Sequence, residues 1–216
     1  MRPVRLLISN PDQDQRGSVV NVPGKLVDIL PDSARKRFYI ARQDKNQVLV
    51  FDGSNNQQIA TLRTPTTPKR MTLTMDAKSL LVAGTDSQLV YSFDLDTLQA
   101  QPPIQLPVSH FGRAIASSNN GVFVVSKNDA GPAGTVDRID LLSRCSASPS
   151  SLGVWQNQVD PESVLTVSPS GASILLAEPN GGLKLYDAQQ DTWVLSRKDL
   201  TALSGAYAAA DPAGPP

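Results

Sequence analysis

A recurrence constrains this chain more than any other feature. An aromatic or branched apolar residue followed by aspartate appears as Phe51-Asp52, Phe93-Asp94, Ile139-Asp140 and Tyr186-Asp187, at spacings of 42, 46 and 47 residues. A second mark keeps the same phase: Tyr39-Ile40-Ala41, Leu81-Val82-Ala83, Phe123-Val124-Val125 and Leu175-Leu176-Ala177. A third is the turn before it, Asp76-Ala77, Asn120-Gly121 and Ser170-Gly171. The fullest copy, Phe38 to Asp52, reads FYIARQDKNQVLVFD: an apolar run, a polar loop and a second apolar run closed by Asp52. Such unbroken runs predict short strands covered on both faces. The closing carboxylate predicts an acceptor for the backbone amide two residues on, which starts a turn. Strand pairs and polar turns repeated at this period are the signature of propeller blades, and no copy shows the three- and four-residue apolar spacing of a helical repeat.

The expected fold is therefore all-β, a propeller of four-stranded antiparallel blades with about four complete blades and partial ones at both ends. In order, residues 1–25 read as a half-blade, 26–65, 66–107, 108–159 and 160–198 as full blades, and 199–216 as the start of another. Arg5 to Ser9 matches the strand ending at Asp52, and Val19 to Pro23 matches the segment ending at Pro65. Pro65 and Pro107 each close a blade, since proline cannot donate to a strand ladder. The third copy carries insertions at Lys127 to Gly134 and Ser143 to Ser151, which surface loops tolerate cheaply and which can also serve as binding loops. Asp199 to Ala210 has a helix cap and an Ala-rich body, yet the phase of the repeat makes Gly205 to Ala210 an inner strand. With the chain out of phase at both ends, it reads as part of a larger propeller.

Composition supports a turn-rich β protein: only two of twenty acidic residues are Glu, and eighteen are Asp, the turn former. A net charge of zero argues against a nucleic-acid partner, which needs a surplus of Lys and Arg on one face. The one basic cluster, Arg35-Lys36-Arg37, falls in a predicted hairpin turn and reads as solvated. A single cysteine, Cys145, allows no internal disulfide. No apolar run reaches the eighteen residues of a membrane span, and the start, MRPVRLLISNPDQDQ, lacks the apolar core of a signal peptide.

Signatures of chemistry are sparse. There is no GxSxG, P-loop, GxGxxG or HExxH. One His and one Cys exclude the common zinc sites unless carboxylates supply most ligands, so no metal and no cofactor is expected. Asp44, Asp86 and Asp129 recur in the central loops and read as turn residues rather than calcium ligands. His110 reads as a loop histidine rather than a general base. One constellation stands out: the connectors into the inner strands, PGK at 23 to 25, PTTPKR at 65 to 70, PVSHFGR at 107 to 113 and DPES at 160 to 163, converge on one mouth of a propeller's channel. They place Lys25, Lys69, Arg70, His110 and Arg113 there, with Glu162 opposite. These are either solvated rim charges or a site for a small anion, in which Arg70 and Arg113, nearly equivalent in adjacent copies, would act as a pair.

Tyr39-Ile40-Ala41, a polar loop holding Asn46, then Val48, Val50, Phe51 and Asp52 resemble the YVTN-type β-propeller repeat, related to lactonase-like propellers. The fourth position of the tetrapeptide is Arg42, Gly84, Ser126 or Glu178 where that family prefers Asn. The resemblance implies about seven blades and a periplasmic or extracellular setting, and it is nearly silent on function. Two classes follow. One is a non-enzymatic binding or scaffold module presenting loops to a protein, a glycan or a small anionic ligand. The other is a lactonase-like hydrolase or dehydrogenase-type propeller with a site at the channel mouth. With one Glu and one His offered to the mouth, the residues favour the binding module.

Overall fold

The computed structural model describes residues 20–201. The strands read at Arg5 to Ser9 and Gly205 to Ala210 lie outside them, and the described part of the first half-blade, residues 20–25, holds no strand.

Sixteen strands form four antiparallel sheets of four. The first is β1 (Leu26–Asp32), β2 (Arg37–Arg42), β3 (Gln47–Asp52) and β4 (Gln58–Arg63); the second is β5 (Pro68–Leu73), β6 (Ser79–Gly84), β7 (Leu89–Asp94) and β8 (Ala100–Gln105). The third is β9 (His110–Ser118), β10 (Gly121–Asn128), β11 (Gly134–Asp140) and β12 (Cys145–Ala147); the fourth is β13 (Val164–Val167), β14 (Ser173–Ala177), β15 (Leu183–Asp187) and β16 (Thr192–Arg197). Each sheet is a meander in sequence order, and the first strands pack side by side, β1 on β5, β5 on β9 and β9 on β13. The described residues thus form four blades of a β-propeller. Antiparallel order puts the connectors into β1, β5, β9 and β13 on one rim, the upper, together with the loops between second and third strands.

The core lies between blades because the middle strands present apolar residues to both faces, most completely in β6 and β10. Val48, Val50 and Tyr39 of the first blade meet Leu80, Val82 and Phe93 of the second. Leu81, Ala83 and Val90 on the second blade's other face meet Ile115, Val122 and Val124 of the third. Phe123, Val125 and Val136 then meet Ile174, Leu176, Tyr186 and Trp193 of the fourth. In that last junction Phe123 lies 4.5 Å from Tyr186 and 5.8 Å, edge-on, from Trp193 between ring centroids. Among the described residues no core cluster joins the first blade to the fourth. On the first blade's outward face Ile40, Leu49 and Phe51 gather with Phe38 and Val22.

The insertions of the third copy are structural in part. The long connector after β12 returns along the blade, with bridges from Ser151 to Gln156 and from Gly134 to Val159, and it inserts Leu152 and Val159 into the junction with the fourth blade.

The repeated aspartates behave as their spacing predicts. Asp52 Oδ1 accepts from the Ser54 amide, Asp94 from Asp96 and Thr97, Asp140 from Leu142 and Ser143, and Asp187 from Gln189 and Gln190. All four close the lower-rim hairpin between third and fourth strands. The basic cluster is not merely solvated: Arg35 reaches across a blade junction to Asp96 at 2.7 Å and to the Ala77 carbonyl at 2.9 Å. Arg138 similarly ties the third blade to Asp191 of the fourth at 3.0 Å.

Two outcomes follow. Trp193→Ala should cost about 3–5 kcal/mol in urea unfolding, whereas Leu195→Ala, whose side chain lies on the opposite face of β16 and is 39% exposed, should stay within about 0.5 kcal/mol. Hydrogen bonds from the turn hold the Asp52, Asp94 and Asp140 carboxyls below their usual 3.8. The unfolded chain then binds more protons, so their stabilisation is present above about pH 4 and is lost as pH falls through the lowered values. The triple change to Asn keeps the oxygen acceptors and removes the titration, so unfolding midpoints measured from pH 5 to pH 2 should fall less steeply than in the parent.

Candidate functional site

The four inner strands line an open cavity of about 860 Å³, within the range of small-molecule pockets. Leu26, Ile29 and Leu30 of β1, Met71 of β5, Ile115 of β9 and Val164, Leu165 and Val167 of β13 make its wall mostly apolar. The charged groups on the wall are Asp28 and Arg70. Asp28 shares a face of β1 with Leu30 and pairs with Ala41, so it points toward the second blade, where Arg70 and the Met71 amide meet it at the cavity wall.

Asp28 and Arg70 form a pair. Arg70 Nη1 lies 3.2 Å from Asp28 Oδ1 and donates to the Val27 carbonyl at 3.3 Å, while the Met71 amide donates to Asp28 Oδ2 at 2.8 Å. Burial pushes the Asp28 carboxyl above its usual value against the pull of the Met71 amide and Arg70. A carboxylate perturbed by desolvation in a cleft, with a specific cationic partner, makes Asp28 a candidate functional-site residue. Sequence reasoning passed over Asp28. The available signal was a single acid within the apolar segment LVDIL.

Register explains which connector cations correspond. Three inner strands carry a bulge at one level: the pairing skips Val27, Lys69 and Arg113. Asp28, Arg70 and Ala114 pair with Ala41, Ala83 and Val125, the equivalent residues of the next strand. Arg113 thus corresponds to Lys69 and not to Arg70, correcting the expected arginine pair. The extra residue in each inner strand shifts the side-chain alternation there and re-aims the bulged side chain.

Lys69 Nζ meets Glu162 Oε2 at 2.7 Å, an ion pair between the second blade and the connector into the fourth. These two, placed on opposite sides of the mouth from sequence, do come together. Lys25 meets the central loop through its backbone, its amide donating to Asp44 Oδ1 at 2.9 Å. Asp44, also bound by Arg42, is pulled down to about 2. Asp86 accepts from Thr67 Oγ1 at 2.7 Å. Asp44 and Asp86 therefore hold upper-rim connectors, whereas the Asp129 carboxylate lies 3.9 Å from Lys127 of the same hairpin, and among the described residues no cluster of His, Cys, Asp and Glu has the arrangement of a metal site. Arg113 makes no ion pair among the described residues, and its Nε is buried without a hydrogen-bond partner.

His110 is not in a loop and does not line the cavity. It opens β9, buried, with Nδ1 2.9 Å from both oxygens of the fully buried Asp137. Asn128 Nδ2 sits 3.1 Å from Nε2, and the Ala130 amide donates to Asn128 Oδ1 at 2.8 Å. That second bond fixes the amide so that Nδ2 donates to Nε2, which assigns the ring proton to Nδ1 and directs it to Asp137. Both nitrogens are thus committed within the third blade.

A second buried pair was also missed from sequence. Lys184 Nζ lies 2.8 Å from Glu178 Oε2, with both side chains under 5% exposed, though poorly angled for a hydrogen bond. Lys184 also sits over the Trp155 ring at 4.7 Å, a cation–π contact, and the Asp160 amide donates to Glu178 Oε1 at 3.2 Å. Gly182 is required here, because a Cβ on it would stand 2.0 Å from Glu178 Oε2. The pair fastens the connector from the third blade to the fourth.

No family model matches the chain, and no curated protein sequence matches it either. Among solved structures it is similar to a chain of hydrazine synthase from Kuenenia stuttgartiensis, with a TM-score of 0.59 and 17% identity, over 75% of this chain and 46% of that one. The chain thus spans about half the length of that relative. At this identity the likeness shows the fold alone, and a fold that 1411 solved chains match carries no activity by itself. No helix among the described residues is long and apolar enough to cross a membrane.

Removing one partner of the buried pair strands a charge. Lys184→Met should therefore cost about 3–5 kcal/mol in urea unfolding, while Lys184→Met with Glu178→Leu should recover more than half of that loss.

Proposed function

We propose that this propeller is a non-enzymatic binding module whose channel mouth receives a small anionic ligand. The observation that carries the reading is the surplus of cations around the opening of an apolar cavity. Lys25, Lys69, Arg70 and Arg113 belong to the inner strands and their connectors at the upper ends of three blades, against Asp28, Asp160 and Glu162, while Asp44 and Asp86 of the central loops are taken up by hydrogen bonds from the connectors. Asp28 and Glu162 each hold one of these cations, which leaves positive charge beside low-dielectric walls. There a charge attracts an anion more strongly than it would on an open surface. His110 and Asp137, the side chains best suited to proton transfer, are turned into the third blade, so the mouth favours binding over chemistry.

Calorimetric titration with succinate and with inorganic phosphate at low ionic strength tests this. Weak binding that fades with added salt is expected, and Arg70→Gln with Arg113→Gln should reduce affinity at least about tenfold, the scale of charge-assisted hydrogen bonds. Absence of binding, or binding indifferent to the double change, would leave the mouth as solvated rim.

A further inference from the structure

Resting on that reading of the mouth, we infer that the ligand is an amphiphilic monocarboxylate, its carboxylate on Arg70 and its apolar chain lying along the inner strands. Two features of the cavity narrow the choice. The first is the donor set. Arg70 lines the cavity, and the hydrogen bonds it makes among the described residues, to Asp28 and to the Val27 carbonyl, both use Nη1. Its Nε and Nη2 groups keep the side-on fork that matches one carboxylate bidentately. Asp28 does not compete for that fork, because its oxygens are taken by Nη1 and by the Met71 amide. It anchors the guanidinium instead.

The second feature is the wall below the pair. With one guanidinium for the head group, a dianion such as phosphate lacks a second cation inside the cavity. The remaining surface from β1, β9 and β13 is dominated by Leu, Ile, Val and Ala. Ile29 is 65% exposed although it lies on that wall, so apolar area stands ready to be covered. Val164 to Val167 of β13 line the cavity over three residue steps, about 10 Å at strand rise, which sets a medium-length chain as the natural guest. Charge complementarity at one end and apolar surface along the rest select an amphiphile over a sugar or a polar anion.

The test compares hexanoate, octanoate and decanoate with succinate and decanol on the whole protein by calorimetry. Affinity should rise two- to fourfold per added methylene, the scale of methylene burial, and decanol should bind about tenfold less tightly than decanoate. Arg70→Gln should lower decanoate affinity about tenfold. Ile29→Asn, at a position exposed enough to leave folding intact, should weaken decanoate several-fold and leave succinate unchanged. If succinate binds and decanoate binds no better, this inference fails and the anion site stands. If no carboxylate or phosphate binds, both fail. Decanoate binding that ignores Arg70→Gln overturns the assignment of the head group.

Discussion

Every blade depends on burial of its two middle strands from both sides. A single four-stranded sheet with Leu80, Leu81, Val82 and Ala83 on successive residues cannot leave either face in water. In the second blade this run is fully buried because Leu80 and Val82 meet the first blade while Leu81 and Ala83 meet the third. Sheets stacked face to face in this way, each with its native twist, fan around the short edges formed by β1, β5, β9 and β13. The channel is a consequence of that fan. Its wall consists of the innermost strands, which face the cavity and so are held to apolar character less strictly than the middle ones.

That relaxed demand lets polar groups collect near the channel and the upper rim, and most are satisfied locally. Lys69 finds Glu162, Arg70 finds Asp28, Lys184 finds Glu178 and His110 finds Asp137. Both glutamates of the chain are spent on lysines at the connector into the fourth blade. The pairs differ in kind. Lys69–Glu162 is open to solvent and contributes little to stability. Lys184–Glu178 is dry, so its worth lies in the damage of breaking it rather than in net attraction. Arg70–Asp28 lies between these, with the acid largely buried and part of the guanidinium left in the cavity, which suits it to meet a ligand.

The repeat, the strand order and the turn chemistry were legible in the sequence, because each is a local demand. Four aspartates at one phase accept amides two or three residues on in all four blades. Phe38 to Asp52 is covered on both faces, as its unbroken apolar runs require. The site was legible only in outline. The connectors identified which cations share a rim, and Lys69 and Glu162 do meet there. Asp28 was hidden inside an apolar strand, and Arg35, read from sequence as a solvated turn charge, proved to clasp the neighbouring blade on the lower rim, as Arg138 does one junction further on.

By itself the sequence determined a blade of four antiparallel strands and its repetition, since hydrophobic period and turn residues act within about ten positions of one another. Only the tertiary structure decided which charges are partners and which way they point. A one-residue bulge at Val27, Lys69 and Arg113 leaves no trace in composition or spacing, yet it moves Arg113 out of equivalence with Arg70. Asp28 and Arg70 are 42 positions apart, and Lys69 and Glu162 are 93 apart. Their pairing follows from the angle at which blades stack around the channel, a property of packed side chains across three junctions that no stretch of chain encodes alone.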